Sequence, residues 1–364
     1  MMSSSINIKD FNLYKATAQL KKPIADATHT LYEISFLVLR LRLENGIIGE
    51  SYLLCFQYSP AAIRGAFKDL LPVIKGFAVN ETGRVFKKLD ELSEYFGNQG
   101  INRWAQAAIN VAMWDAWGKY LNQPVGKLLG TYHDKCAIYG SGGWISYSID
   151  ELLEEVTGYV NRGFRAVKIK VGSPDWRTDI ERLKIVRNAV GTGVNIMMDA
   201  NQGMTLPSAV QLARAAQELN IFWFEEPLNH QNFDGYQSLK QQTGISLAMG
   251  EREYDTLPLV QLLQRKAIDI WQPDLLRIGS VEAWRESAAL ANSYHVPVLP
   301  HYYKDYDVPL VCSIPNGVGV ESFDWIDPLI DNPMLVKDGY AFPHEGPGWG
   351  FSFMDDCLTE ISLS

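Results

Sequence analysis

From Cys136 onward the chain repeats one pattern: a short apolar run followed by an amphipathic stretch. The runs are CAIYGSG, AVKIKVG, NIMMDAN, FWFEEPL, SLAMGER, IDIWQPD, VPVLPHY and GVGVESF, spaced roughly every 20 to 30 residues. Such alternation is the signature of βα units and a parallel sheet. Eight of them fit a closed (β/α)₈ barrel, an α/β fold of the TIM type, better than an open sheet. The second to eighth runs end in Lys170, Asp199, Glu225, Glu251, Asp274, His301 and Glu321. Because the C-terminal strand ends of a barrel share one face, these residues are expected to meet in one bowl, the candidate active site.

The first part of the chain reads differently. LYEISFLVLRLRLENGIIGESYL predicts two strands turning at Glu44-Asn45-Gly46, since Asn-Gly favours a tight hairpin. Ala105, Ile109, Ala112, Met113 and Ala116 then follow a helical period, in a helical stretch expected to end at Gly130. The expected organisation is a first region over 1–130, the barrel over 131–325 and a C-terminal segment over 326–364. With 364 residues, 47% of them hydrophobic, the chain can bury a large core. A net charge of -9 without any basic block argues against nucleic acid and leaves a small molecule as the expected partner. Cys55, Cys136, Cys312 and Cys357 form no CxxC and are expected to be reduced thiols. No basic leader and no apolar run near the roughly 20 residues that span a bilayer are visible, so no membrane association is expected and the cytoplasm is the expected location.

Asp199, Glu225 and Glu251 end three consecutive strands, and three converging carboxylates repel unless a cation lies between them. Oxygen ligands without Cys or His point to a hard ion, and open positions for substrate suit Mg²⁺ better than Ca²⁺. The alternative is salt bridging to barrel lysines. Glu226 adjoins Glu225, and alternation points only one of the two at a metal. Lys168 and Lys170 share a strand face; repulsion from Lys168 should lower the pKa of Lys170 toward a neutral amine that can take the α-proton of a carboxylate substrate. Asp274 can orient and charge His301, making it a second acid or base, whereas His133, His230, His295 and His344 read as structural.

KIK, DAN, EEP, MGE, PD and PH, in this order at successive strand ends, resemble the mandelate racemase group of the enolase superfamily over essentially the whole chain. The resemblance implies a modified barrel with one helix replaced, an N-terminal α+β capping domain and a C-terminal segment returning to the cap. It implies Asp199, Glu225 and Glu251 as Mg²⁺ ligands, Lys170 as base with Lys168 as its partner, a His301–Asp274 dyad, and Glu321 as the acid hydrogen-bonded to an enediolate oxygen. Asn201 matches an active-site polar position. Substrate choice is expected in cap loops at Lys22 to Thr30 and Leu53 to Ala62, with His29 and Tyr58. Arg252 either meets a distal carboxylate of a diacid or pairs with a barrel acid. The implied activity is dehydration of an acid sugar, aldonate or aldarate, to a 2-keto-3-deoxy acid. Racemisation or epimerisation, cycloisomerisation of an anhydro-sugar acid or lactone, and a non-catalytic sugar- or metal-binding barrel are the alternatives. A homo-oligomer, dimer or octamer, is implied as well.

Overall fold

The computed structural model describes residues 5–56 and 60–363, so Tyr58 lies outside the described residues. Parallel pairing runs from Cys136–Gly142 through Ala166–Lys170, Asn195–Asp199, Ile221–Glu225 and Leu247–Met249 to Ile270–Trp271. The seventh apolar run is reduced to Val298, which bridges Trp271 on one side and Gly317 on the other. Gly319–Ser322 then pairs in parallel back on Cys136–Gly142. Helices between the strands begin at side-chain caps, among them the Ser148/Glu151 capping box, Asp175, Asn232 and Ser280. Each cap satisfies amide groups that a helix start leaves open. Among the described residues no α-helix follows Gly319–Ser322; the chain instead returns to the N-terminal sheet.

That sheet is antiparallel, in the order Thr359–Ile361, Ile8–Ala18, Ile34–Leu43, Ile48–Leu54. The hairpin expected at Asn45-Gly46 joins its last two strands, with Gly46 at φ 91°. The helix Ile101–Leu121 crosses the sheet so closely that a Cβ on Gly49 would lie 2.2 Å from the Ala112 carbonyl oxygen. This helix stops at Asn122, in the left-handed conformation, rather than continuing to Gly130; Pro124 follows, and Val125–Leu129 forms a separate short helix. A proline pushes the preceding residue away from helical geometry, which accounts for the break.

The edge strand Ile48–Leu54 is tied to the barrel by tyrosines. The Tyr52 amide donates to the Tyr306 hydroxyl at 2.8 Å and the Leu54 amide to Tyr303 at 3.1 Å. Edge amides without strand partners need acceptors when buried, and here the segment after His301 provides them. Inside the barrel a separate apolar cluster of Tyr139, Met197, Trp223, Ala248, Ile270 and Leu299 fills the interior below the polar strand ends. No helix among the described residues is long and apolar enough to cross a membrane.

Candidate active site

Strand register assembles the first half of the site. Lys170 is the direct partner of Asp199, and Asp199 of Glu225, on three adjacent strands. Lys170 Nζ lies 2.5 Å from Asp199 Oδ2. Lys168, two residues earlier on the same face, lies 2.6 Å from both Glu225 Oε1 and Glu321 Oε1 and 3.4 Å from Asp199 Oδ2. All five side chains are buried. Glu225 Oε2 also accepts from Trp223 Nε1 at 3.1 Å and Gln272 Nε2 at 2.8 Å. Trp223 precedes Glu225 by two residues and Gln272 precedes Asp274 by two, so period-2 alternation would have found both.

These contacts reverse one expectation. Burial and Lys168 both pull the Lys170 pKa down, yet Asp199, with help from Glu225 and Glu321, carries the net direction up. Lys168 is held higher still against burial by Glu225 and Glu321. The repulsion anticipated between the lysines is present, but contact carboxylates outweigh it. Burial pushes Glu225 up to about 8 despite Lys168.

The second half surrounds Glu251. Burial alone would raise its pKa, but His301, Arg252, Arg277 and Lys170 hold it well below the usual range. His301 Nδ1 lies 2.8 Å from Asp274 Oδ2, and its Nε2 lies 3.6 Å from Glu251 Oε2. Burial lowers the His301 pKa, but Glu251 and the Asp274 hydrogen bond turn the net direction upward. Asp274 Oδ1 meanwhile accepts the Leu276 and Arg277 amides, capping the turn Leu275–Ile278. Arg252 pairs with Glu226 at 3.0 Å and Glu251 at 3.5 Å, which is the barrel-acid alternative for that residue. Glu226 departs from simple alternation: the strand ends at Glu225, and a φ of 35° at Glu226 breaks the pleat. Its side chain stays fully buried, and burial together with Glu251 pushes it up to about 8.

A cavity of about 750 Å³ opens over these groups. Of the residues expected from sequence, Lys170, Asn201, Glu251, Arg252, Asp274, His301 and His29 line it, the last from the cap. Lys168, Asp199, Glu225 and Glu321 are buried beside them. Both cap loops reach the wall, through Asp26 and His29 and through Leu54, Cys55 and Phe56. Arg277 was not anticipated; it donates to the Glu251 carbonyl oxygen at 2.8 Å. Nor were Trp144, Phe323 and Trp325, a stacked aromatic wall with ring centres 4.5 Å apart for Phe323 and Trp325 and 6.2 Å for Trp144 and Trp325. His230, expected to be structural, also lines the cavity, 2.8 Å from Glu253.

Buried acid exceeds buried base here. Asp199, Glu225, Glu226, Glu251, Asp274 and Glu321 face Lys168, Lys170, Arg252 and Arg277, with His301 as a further partial charge. Among the described residues no three ligand side chains are drawn in around one point; Asp199 and Glu225 turn to the lysines instead. Asn201 Oδ1 and Glu226 Oε1 are buried without hydrogen-bond partners. An all-oxygen donor set in which acids outnumber the cations beside them fits a hard divalent cation.

Residues 10–130 match the mandelate racemase/muconate lactonizing enzyme N-terminal domain, and residues 151–357 match the enolase C-terminal domain-like family. The chain belongs to the mandelate racemase/muconate lactonizing enzyme family of the enolase superfamily. Its relatives include acid-sugar dehydratases and cycloisomerases. It is 27% identical to L-talarate/galactarate dehydratase of Salmonella typhimurium over 352 residues, covering 95% of this chain and 88% of that one. It is 26% identical to 3,6-anhydro-alpha-L-galactonate cycloisomerase of Streptomyces coelicolor, covering 90% and 91%. The crystal structure of L-talarate dehydratase from a Polaromonas species, complexed with Mg and L-glucarate, superposes with a TM-score of 0.90 at 26% identity over 98% of this chain and 99% of that one. These matches agree with a barrel domain that carries an N-terminal cap.

Proposed function

We propose that this protein is a Mg²⁺-dependent acid-sugar dehydratase that removes the proton α to a carboxylate and yields a 2-keto-3-deoxy acid. The observation that carries it is the pairing of two differently prepared groups on one cavity wall: the Lys170 amine, and His301 with its pKa raised beside Asp274. Asp199, Glu225 and Glu251 would hold the ion, with Asn201 and Glu226 as neighbouring oxygens. Bound there, Mg²⁺ supplies positive charge that lowers the cost of developing anionic charge on the substrate carboxylate. With Asp199 among the residues holding such an ion, its hold on Lys170 would weaken, and Lys168 would then favour the neutral amine of Lys170. Lys170 takes the α-proton. His301, kept protonated, gives its Nε2 proton to the departing β-hydroxyl, which leaves as water. Glu321, whose Oε1 lies 2.6 Å from Lys168 Nζ, would when protonated donate a hydrogen bond to an oxygen of the substrate carboxylate as negative charge builds on it.

A panel of six-carbon acid sugars incubated with Mg²⁺ tests this. A semicarbazide-reactive product that disappears on chelation is the expected result. Turnover only to stereoisomers or ring-opened products without loss of water would replace dehydration by epimerisation or cycloisomerisation. The cycloisomerase relative supports keeping that second reading.

A further inference from the structure

We infer that the substrate is a monocarboxylic acid sugar whose far end is uncharged, so that diacids are rejected. This rests on the acid-sugar reading above and narrows it.

The cavity wall supplies no uncommitted cation for a second carboxylate among the described residues. Lys170 faces Asp199 at 2.5 Å. Arg252 faces Glu226 at 3.0 Å and Glu251 at 3.5 Å. Arg277 donates to the Glu251 backbone carbonyl, has Nη1 3.6 Å from the Glu251 carboxylate and lies over the Trp104 ring at 5.7 Å. Each imidazole on the wall already faces an acid: His29 with Asp26 at 3.6 Å, His230 with Glu253 at 2.8 Å, His301 with Asp274 at 2.8 Å.

Besides these cations the wall presents acid and ring. Asp26, Glu253 and Asp255 line it beside His29 and His230. Trp144, Phe323 and Trp325 form the aromatic side, and Lys170 Nζ sits 5.5 Å from the centre of the Trp144 ring. Carboxylates accept hydrogen bonds from sugar hydroxyls, and ring faces pack against C–H surfaces, so an uncharged polyol end is matched on both counts. A distal carboxylate would lose water and gain like-charged neighbours instead, a repulsive element that sets specificity as firmly as any attraction.

The test pairs each monoacid with the diacid of the same configuration, gluconate with glucarate and galactonate with galactarate, in the Mg²⁺-loaded full chain. The better monoacid should exceed its matched diacid in kcat/KM by at least about 100-fold, the scale at which a site with mispaired polar groups discriminates. Glu253→Gln, which removes one repelling charge and keeps the shape, should narrow that gap by about tenfold. A diacid used as well as or better than its partner overturns the inference while leaving the dehydratase reading intact. If no acid sugar is turned over, the dehydratase reading fails. Calorimetric titration of the same pairs still decides the present point, tighter binding of the monoacids sustaining it and equal or tighter binding of the diacids refuting it.

Discussion

The barrel strand ends and the cap loops build one cavity by different means. At the strand ends, backbone pairing fixes Lys170, Asp199 and Glu225 opposite one another above the Trp223 layer, and burial turns these charges on one another, with Trp223 and Gln272 also donating to Glu225. In the cap, Asp26 and His29 reach the wall from a loop in which Asp26 Oδ1 accepts the Thr28 and His29 amides at 2.7 Å each, while Ala25 is tied to Ile145 and Ser146 of the barrel domain. A group placed by register cannot drift, whereas a group placed by a loop can change without disturbing the fold. On the proposed function, chemistry falls to the strand ends and substrate choice to the loops.

The strongest way to break this division is Lys170→Met. The substitution removes the proposed base but leaves Asp199 near Lys168 at 3.4 Å, so no buried carboxylate is stranded and the fold should persist. Turnover of the best acid sugar should fall by about 10³-fold or more, the scale of a lost general base, while a substrate analogue still binds in calorimetry. Turnover near the wild-type rate would remove Lys170 from the chemistry.

A smaller effect sharpens the His301 side. Its pKa is raised from 6.5 although burial pulls it down, because Glu251 and Asp274 favour the imidazolium. As a proton donor His301 works while charged, so activity should be lost as pH rises through this raised value, placing the basic limb of the kcat/KM profile above pH 6.5. Asp274→Asn keeps an oxygen for the Leu276 and Arg277 amides but removes the charge facing Nδ1. The basic limb should then move to lower pH. A limb that stays in place would mean that another group sets it.

How much of this was legible in the sequence follows the same division. Period-2 alternation and strand counting carry Lys168, Lys170, Asp199, Glu225 and Glu321 to one place because the barrel converts strand position into spatial position. Alternation misleads at Glu226, where the strand has ended and a positive φ takes over. The upward net shift of Lys170 was not legible either, since it depends on which oxygens face the amine rather than on lysine spacing. The tyrosines of HYYKDYD that anchor the cap were missed because an edge amide's need for an acceptor appears only once the strand order is known. Loop residues such as Gln99 and Tyr254, which also line the cavity, follow no period that would have singled them out.

The smallest effect is expected in the cap, at His29. Its side chain is 44% exposed, and its Nδ1 lies 2.7 Å from Thr28 Oγ1 and 3.6 Å from Asp26. An exposed cap-loop imidazole contributes little to the transition state, so His29→Ala should leave kcat unchanged. It should raise KM by about threefold, the loss of one modest hydrogen bond. The imidazole also partly screens Asp26, so its removal should weaken a diacid more than a monoacid, widening whatever preference the wild-type protein has. Steady-state constants for one matched pair measure both effects. A kcat reduced by about 100-fold would instead place a chemical group in the cap, and the division of labour between register-fixed strand ends and loop-borne selectivity would have to be redrawn.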